Sequence, residues 1–276
     1  MNLFNDIKQH YKSGDVSQKL IFINILVFIL SAFIFSFASN QFQYPSWLAL
    51  SSNYEDVIWF PWTLLTYGFL HSEIIHLIFN LIFLYYISIL FYTFFNTRQF
   101  LTVYFLGSFF AGLVFVAYGF FFNYDNLIVG ASASIMAIFM AVATYAPNYN
   151  IRLPLIGYVK IWHLAALYVF IDVSQLLTEN TGGHIAHLSG SIAGFIFAIL
   201  MKKGIDLSEV FLFKKRKNTT FKKVYKNKPV KKYQSVRVSD VNFQQRQIDE
   251  ILEKISKSGY DSLTKEEKEF LFAANK

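Results

Sequence analysis

The 276-residue chain contains no cysteine, so disulfides, thiolate catalysis and cysteine-ligated metals are all excluded. Charge is scarce over most of its length. Residues 1–201 carry 6 Lys+Arg against 8 Asp+Glu, net −2, whereas residues 202–276 carry 19 against 10, net +9. An apolar, nearly neutral body is therefore followed by a basic tail. The segments 40–73, 121–126 and 178–183 hold no Lys or Arg, and the run 214–238 holds no Asp or Glu. No internal repeat is visible, and Asp172 is the only carboxylate candidate inside an apolar segment. The first apolar stretch, from about Leu20, lacks a small-x-small cleavage site in a polar flank. It is expected to stay as a helix rather than to be removed as a signal peptide.

What is present is apolar bulk. The chain is 54% hydrophobic, with 32 Phe, 17 Tyr and a mean hydropathy of +0.37, against about 45–50% apolar residues in a soluble domain. Six segments come near the ~20 residues needed to cross a ~30 Å hydrocarbon core. They run over 19–39, 74–95, 99–120, 127–146, 157–177 and 184–201. The expected fold is all-α, a six-transmembrane helical bundle with a short cytoplasmic helical tail. Lys8, Lys12 and Lys19 precede the first span, Arg98 follows the second, Arg152 and Lys160 follow the fourth, and Lys202 and Lys203 follow the sixth. By the positive-inside rule both termini are cytoplasmic, and the topology suits a bacterial-type inner membrane. Trp47, Trp59 and Trp62 cluster in the long first outer loop, as interfacial anchors, as a locally packed loop, or as both.

Four parts are expected: a cytoplasmic N-terminal segment 1–18, the six-span domain 19–203, a basic cytoplasmic linker 204–239, and a small helical segment 240–276. The basic run 214–238 can bind anionic lipid, at roughly 1 kcal/mol per basic residue near the surface, or serve as a solvated linker. No nucleic-acid-binding fold accompanies it, so nucleic acid is not an expected partner. Ile248, Ile251, Leu252 and Ile255 form a helical stripe that Gly259 can end. Thr264 to Glu267 then reads as a capping box ahead of Phe270-Leu271-Phe272.

Chemistry concentrates in three apolar segments. Ser132, in Gly130-Ala131-Ser132-Ala133-Ser134, lies near the outer end of the fourth span, where a helix start offers free backbone N–H groups. Alone, a serine between alanines reads as structural. His187 lies about one turn into the sixth span; an ionisable group there is expensive in hydrocarbon and is a functional candidate by default. It could instead be a packing or proton-relay residue. Gly190 and Gly194 form a small-x-x-x-small face that lets helix backbones approach, as a serine–histidine pair requires. His76 and Asn80, at i,i+4, share one face of the second span. They suit an oxyanion site, or an interhelical hydrogen-bond pair. Periodicity leaves the facing of Asp172 open, so a Ser–His dyad is expected, its imidazole held by aromatic packing. His184 reads as a polar residue at the outer boundary, and His184 with His187 lacks a third metal ligand in a convincing pattern. Ser134 should point about 200° around the helix from Ser132.

These segments, with the lead-in Trp62-Thr63-Leu64-Leu65-Thr66-Tyr67-Gly68-Phe69-Leu70-His71, resemble the signature regions of the rhomboid intramembrane serine proteases over roughly 55–200. The resemblance implies Ser132 as nucleophile and His187 as general base and then acid. It implies His76, Asn80 and the Ser132 backbone as oxyanion site, Gly130 as the small residue before the nucleophile, and Gly190 and Gly194 as the close helix contact. It implies single-span membrane proteins as substrates, cut near the outer face, with no metal or cofactor. Two departures stand out: Ala133 occupies the position where the family usually has glycine, and Trp62 is followed by Thr63 rather than arginine. The competing expectations are an inactive rhomboid-like protein that binds membrane clients, and a proton-coupled transporter using His76, His184 and His187.

Overall fold

A computed structural model describes residues 14–35, 44–154, 156–177, 180–210 and 238–274. Residues Met1–Lys215 form one compact unit and Arg216–Lys276 a second. The basic run 214–238, except its last position, lies outside the described residues, as do Lys8, Lys12, residues 36–39 of the first expected span and residues 178–179 of the last outer loop.

In the first unit, α1 (Val16–Phe35) leads into a structured loop. The loop holds β1 (Leu50–Ser51), α2 (Tyr54–Trp59) and α3 (Thr63–Thr66), the last running into a 3-10 turn over Tyr67–Phe69. Then come α4 (Ile74–Tyr92), α5 (Thr97–Phe122), β2 (Leu127–Ile128) and α6 (Ser132–Tyr145). A hairpin of β3 (Asn150–Leu153) and β4 (Gly157–Lys160) precedes α7 (Ile161–Ser174), α8 (Thr181–Lys202) and the short α9 (Leu207–Val210). Among the described residues, α1, α4, α5 and α8 are long and apolar enough to cross a membrane.

The bundle is built inside out relative to a soluble protein. Large apolar side chains such as Phe33, Phe79, Phe121 and Phe170 face outward, while glycine, alanine and serine fill the helix contacts. Lipid tails are as apolar as leucine, so close backbone approach, not hydrophobic burial, joins such helices. A Cβ added to Gly190 would strike the carbonyl oxygen of Ala133, and one on Gly194 that of Ala137. Gly107 likewise admits the Ala137 methyl, which locks α5, α6 and α8 together. At the other end of α6, Lys202 Nζ donates to Thr144 O at 2.7 Å, satisfying a carbonyl of the last turn.

Two expected spans are corrected. Residues 127–128 do not begin the fourth helix but pair antiparallel with Leu50–Ser51. Gly130 then takes φ +130°, which no helix continues through, so α6 starts only at Ser132. Residues 157–160 pair with 150–153 rather than opening the fifth helix. Both α6 and α7 have 14 residues, about 21 Å at 1.5 Å per residue.

The loop before α4 is anchored on α5. Leu50 and Leu64 side chains press on Gly112, Tyr67 Oη donates to Ser108 O at 2.9 Å, and Ser52 Oγ donates to Tyr124 O at 2.6 Å. Trp62 Nε1 donates to Trp47 O at 2.8 Å, while Trp59 is 77% exposed. One tryptophan is therefore locally packed and another is free to meet a surrounding phase.

In the second unit, α10 (Val238–Ser258) ends at Gly259, φ +77°, and a 3-10 turn leads to α11 (Lys265–Ala273). The capping box is formed: Thr264 Oγ1 accepts from Glu267 N and Glu267 Oε2 from Thr264 N. From the apolar stripe Ile251 is buried and Leu252 half exposed.

Candidate active site

Three helices deliver polar side chains to one small cavity of about 150 Å³. His76 and Asn80 come from α4, Ser132 from α6 and His187 from α8. Phe83, Met136 and Tyr168 are among its apolar walls. The sequence spacing explains the convergence. His76 and Asn80 lie one turn apart, and the Asn80 amide donates to His76 O at 3.0 Å, which orients it within its own helix. The pairing is therefore intrahelical, and it uses one of the two amide N–H groups.

Gly130 sets where Ser132 stands. Its N–H bonds Tyr67 O at 3.0 Å, and a Cβ would lie 2.8 Å from His76 Cε1. Only glycine satisfies both that contact and the positive φ. Ser132 then opens α6, where the first-turn N–H groups have no intrahelical acceptor. Ser134 is buried beside Gly107 and is not part of the cavity wall.

Ser132 and His187 line the same cavity, and among the described residues no direct hydrogen bond joins them. The bond His187 does make lies on its other side: Nδ1 is 3.1 Å from Asp172 Oδ1. His184 Nδ1 is 2.8 Å from the same oxygen. One expectation is corrected here: the His187 imidazole is held by a carboxylate as well as by the Tyr168 ring, whose centroid is 6.2 Å away, and His184, in the first turn of α8, bonds the same carboxylate. A lone intramembrane acid is itself a signal, but the facing of α7 could not be read from a helix apolar on all sides.

The ligand atoms of Asp172, His184 and His187 all lie within 4.8 Å of one another, so this trio is the one set among the described residues with metal-ligand spacing. Oδ1 of its carboxylate is already engaged by both imidazoles. Beside the cavity, His71 is fully buried with its ring edge-on to His76, centroids 5.1 Å apart. Burial, and then repulsion from His76, push its pKa down to about 3, so it is neutral.

A second, larger recess of about 540 Å³ lies between α4 and α7 over the β3–β4 hairpin. Phe83 and Tyr168 line both it and the smaller cavity.

Comparison with known proteins gives two matches along the chain. A family model described as "Rhomboid domain" matches residues 59–204, more than half of the chain. One described as a family of unknown function, DUF6576, matches residues 232–273. No curated protein matches the chain.

Proposed function

The chain belongs to the rhomboid family and is an integral membrane protein, and from that premise we propose that it is an intramembrane serine endopeptidase. Ser132 is the nucleophile, His187 the general base and then acid, and His76, Asn80 and the Ser132 N–H the oxyanion donors. The observation that carries this reading is the convergence of those four side chains in one cavity walled by apolar residues.

His187 takes the Ser132 proton as Oγ attacks the scissile carbonyl, and the tetrahedral oxyanion is met by the three donors. His187 then protonates the leaving amine, the C–N bond breaks, and the acyl-enzyme remains. Water entering from the outer side gives up a proton to His187 and attacks the ester, and Ser132 recovers its proton as the acid product leaves. In the resting state Ser132 and His187 are not hydrogen-bonded, a looseness common before substrate tightens a catalytic pair.

The substrates are single-span membrane proteins, cut near the outer face. Their route runs between α4 and α7, supported by the apolar recess there and by the two aromatic side chains it shares with the cavity. All six apolar segments cross the bilayer, both termini are cytoplasmic, and the run 214–238 meets anionic lipid of a bacterial inner membrane. The short α6 is compatible with this because the non-helical backbone before it is covered by protein.

The test is cleavage of a fluorogenic transmembrane peptide in liposomes by wild type, Ser132→Ala and His187→Ala. Product from wild type alone is expected. Folded wild type that cleaves none of several substrates would instead favour a client-binding role, and equal product from all three would place the chemistry elsewhere.

A further inference from the structure

Asp172 has no assigned part in the reaction just described, yet its position is unusual. It lies near the end of α7, where only Ile161, Ala165 and Asp172 itself are buried. It is 2% exposed, in an apolar helix where an unpaired carboxylate would be costly. Its Oδ1 accepts from two imidazoles on the next helix, His184 at 2.8 Å and His187 at 3.1 Å. Its Oδ2 is buried with no hydrogen-bond partner among the described residues.

We infer that Asp172 is a positioning residue for His187, so that this protein works with a Ser132–His187–Asp172 relay in which His184 steadies the carboxylate. The inference rests on the protease reading above. A carboxylate only accepts hydrogen bonds, so a neutral His187 bonded to it carries its proton on Nδ1. The free lone pair is then on Nε2, the nitrogen that must take the serine proton. When that proton arrives, the imidazolium lies 3.1 Å from a carboxylate, and the low-dielectric surroundings strengthen the attraction.

His184 has a distinct part. One carboxylate oxygen shared by two N–H donors is pinned in direction, whereas a carboxylate with one donor can rotate about its terminal torsion. With Oδ2 unpartnered, the His184 bond is the only other polar restraint on the Asp172 side chain among the described residues.

Asp172→Asn is the decisive substitution because it keeps the shape. An amide nitrogen at the buried, partnerless Oδ2 site would be orphaned, so it faces the histidines, where it favours the wrong His187 tautomer. Full-length wild type, Asp172→Asn, Asp172→Glu, His184→Gln and Ser132→Ala are compared in liposomes for kcat, KM and melting temperature. The ¹⁵N resonances of the histidine side chains report the tautomer. Asp172→Asn should lose about 10²–10⁴-fold in kcat, with KM changed less than about twofold and the Nδ1–H signature of His187 lost. Asp172→Glu should recover part of kcat, and His184→Gln should lose roughly tenfold or less, a positioning effect smaller than removal of the charge.

An Asp172→Asn kcat within about threefold of wild type, or an unchanged His187 tautomer, overturns the inference. So does a kcat loss that only tracks a lower melting temperature and is not relieved by Asp172→Glu. If wild type shows no Ser132-dependent cleavage, the protease reading fails on its own. The tautomer measurement, which needs no turnover, still decides whether Asp172 sets His187.

Discussion

Helices α6 and α7 have the same length, 14 residues, and are both apolar, but they serve opposite purposes. Ten residues of α6 are buried, from Ala133 to Ala143, against three on α7. The difference is in side-chain size at the contacts. Alanines on α6 bring its backbone against Gly190 and Gly194 of α8, where there is no room for even a methyl group. Trp162 and Phe170 of α7 point outward, and an apolar recess separates its inner face from α4. In a bilayer, close packing is what holds helices together, so α6 is fixed by its whole length and α7 by little. The hydrogen bonds of Asp172 are the exception, and they tie the loose α7 to α8 beside the candidate site.

The contrast can be broken most severely at the seam. Gly190→Val drives a side chain into the Ala133 carbonyl, and backbone there cannot yield cheaply. A loss of about 3 kcal/mol or more is expected, read as a lower and less cooperative thermal transition in detergent, together with loss of cleavage.

Acid should act next, through the loop before α4, where His71 is fully buried. His71 is neutral in the folded protein because its pKa lies near 3, against 6.5 when exposed. The unfolded chain therefore binds the extra proton over that interval. Its stabilising contribution is complete above pH 6.5 and drains away as pH falls towards about 3. Melting temperature followed across this range should fall in wild type, and the slope should flatten in His71→Phe.

A subtler break lies where the seam meets the cavity. Gly130→Ala combines an unfavourable φ with a contact 2.8 Å from the His76 ring, a cost of about 1–3 kcal/mol. Because the strain falls on His76 and Ser132, turnover should drop far more than helical content measured by circular dichroism. The smallest effect sharpens the comparison from the other side. Phe170→Ala on the exposed face of α7, where the side chain is 69% exposed, should change stability by about 0.5 kcal/mol or less. A thermal shift as large as that of Gly190→Val would show α7 to be packed as firmly as α6.

Much of the candidate site was legible because it is written in local spacing. His76 and Asn80 one turn apart, Gly130 two residues before Ser132, and Gly190 and Gly194 beyond His187 are relations within single helices. Their meeting in one cavity follows from three apolar segments and a small-residue seam. What escaped was non-local. Leu127 and Ile128 read as the start of a helix, and pair with Leu50 and Ser51 only because α5 brings the two ends together. Residues 150–160 carry no hairpin signal as strong as their actual pairing, since Tyr158 and Ile156 are apolar yet exposed.

By itself, then, the sequence determined that the chain is an apolar helical body with a basic tail, because hydropathy, charge placement and i,i+4 spacing act along the chain. It also determined that a serine, two histidines and an asparagine are carried on helix-forming segments. Tertiary structure alone decided which way Asp172 and His184 face. A helix apolar on every side has no amphipathic stripe to mark its inner face, so only contact with α8 selects the rotation that brings the carboxylate to His187.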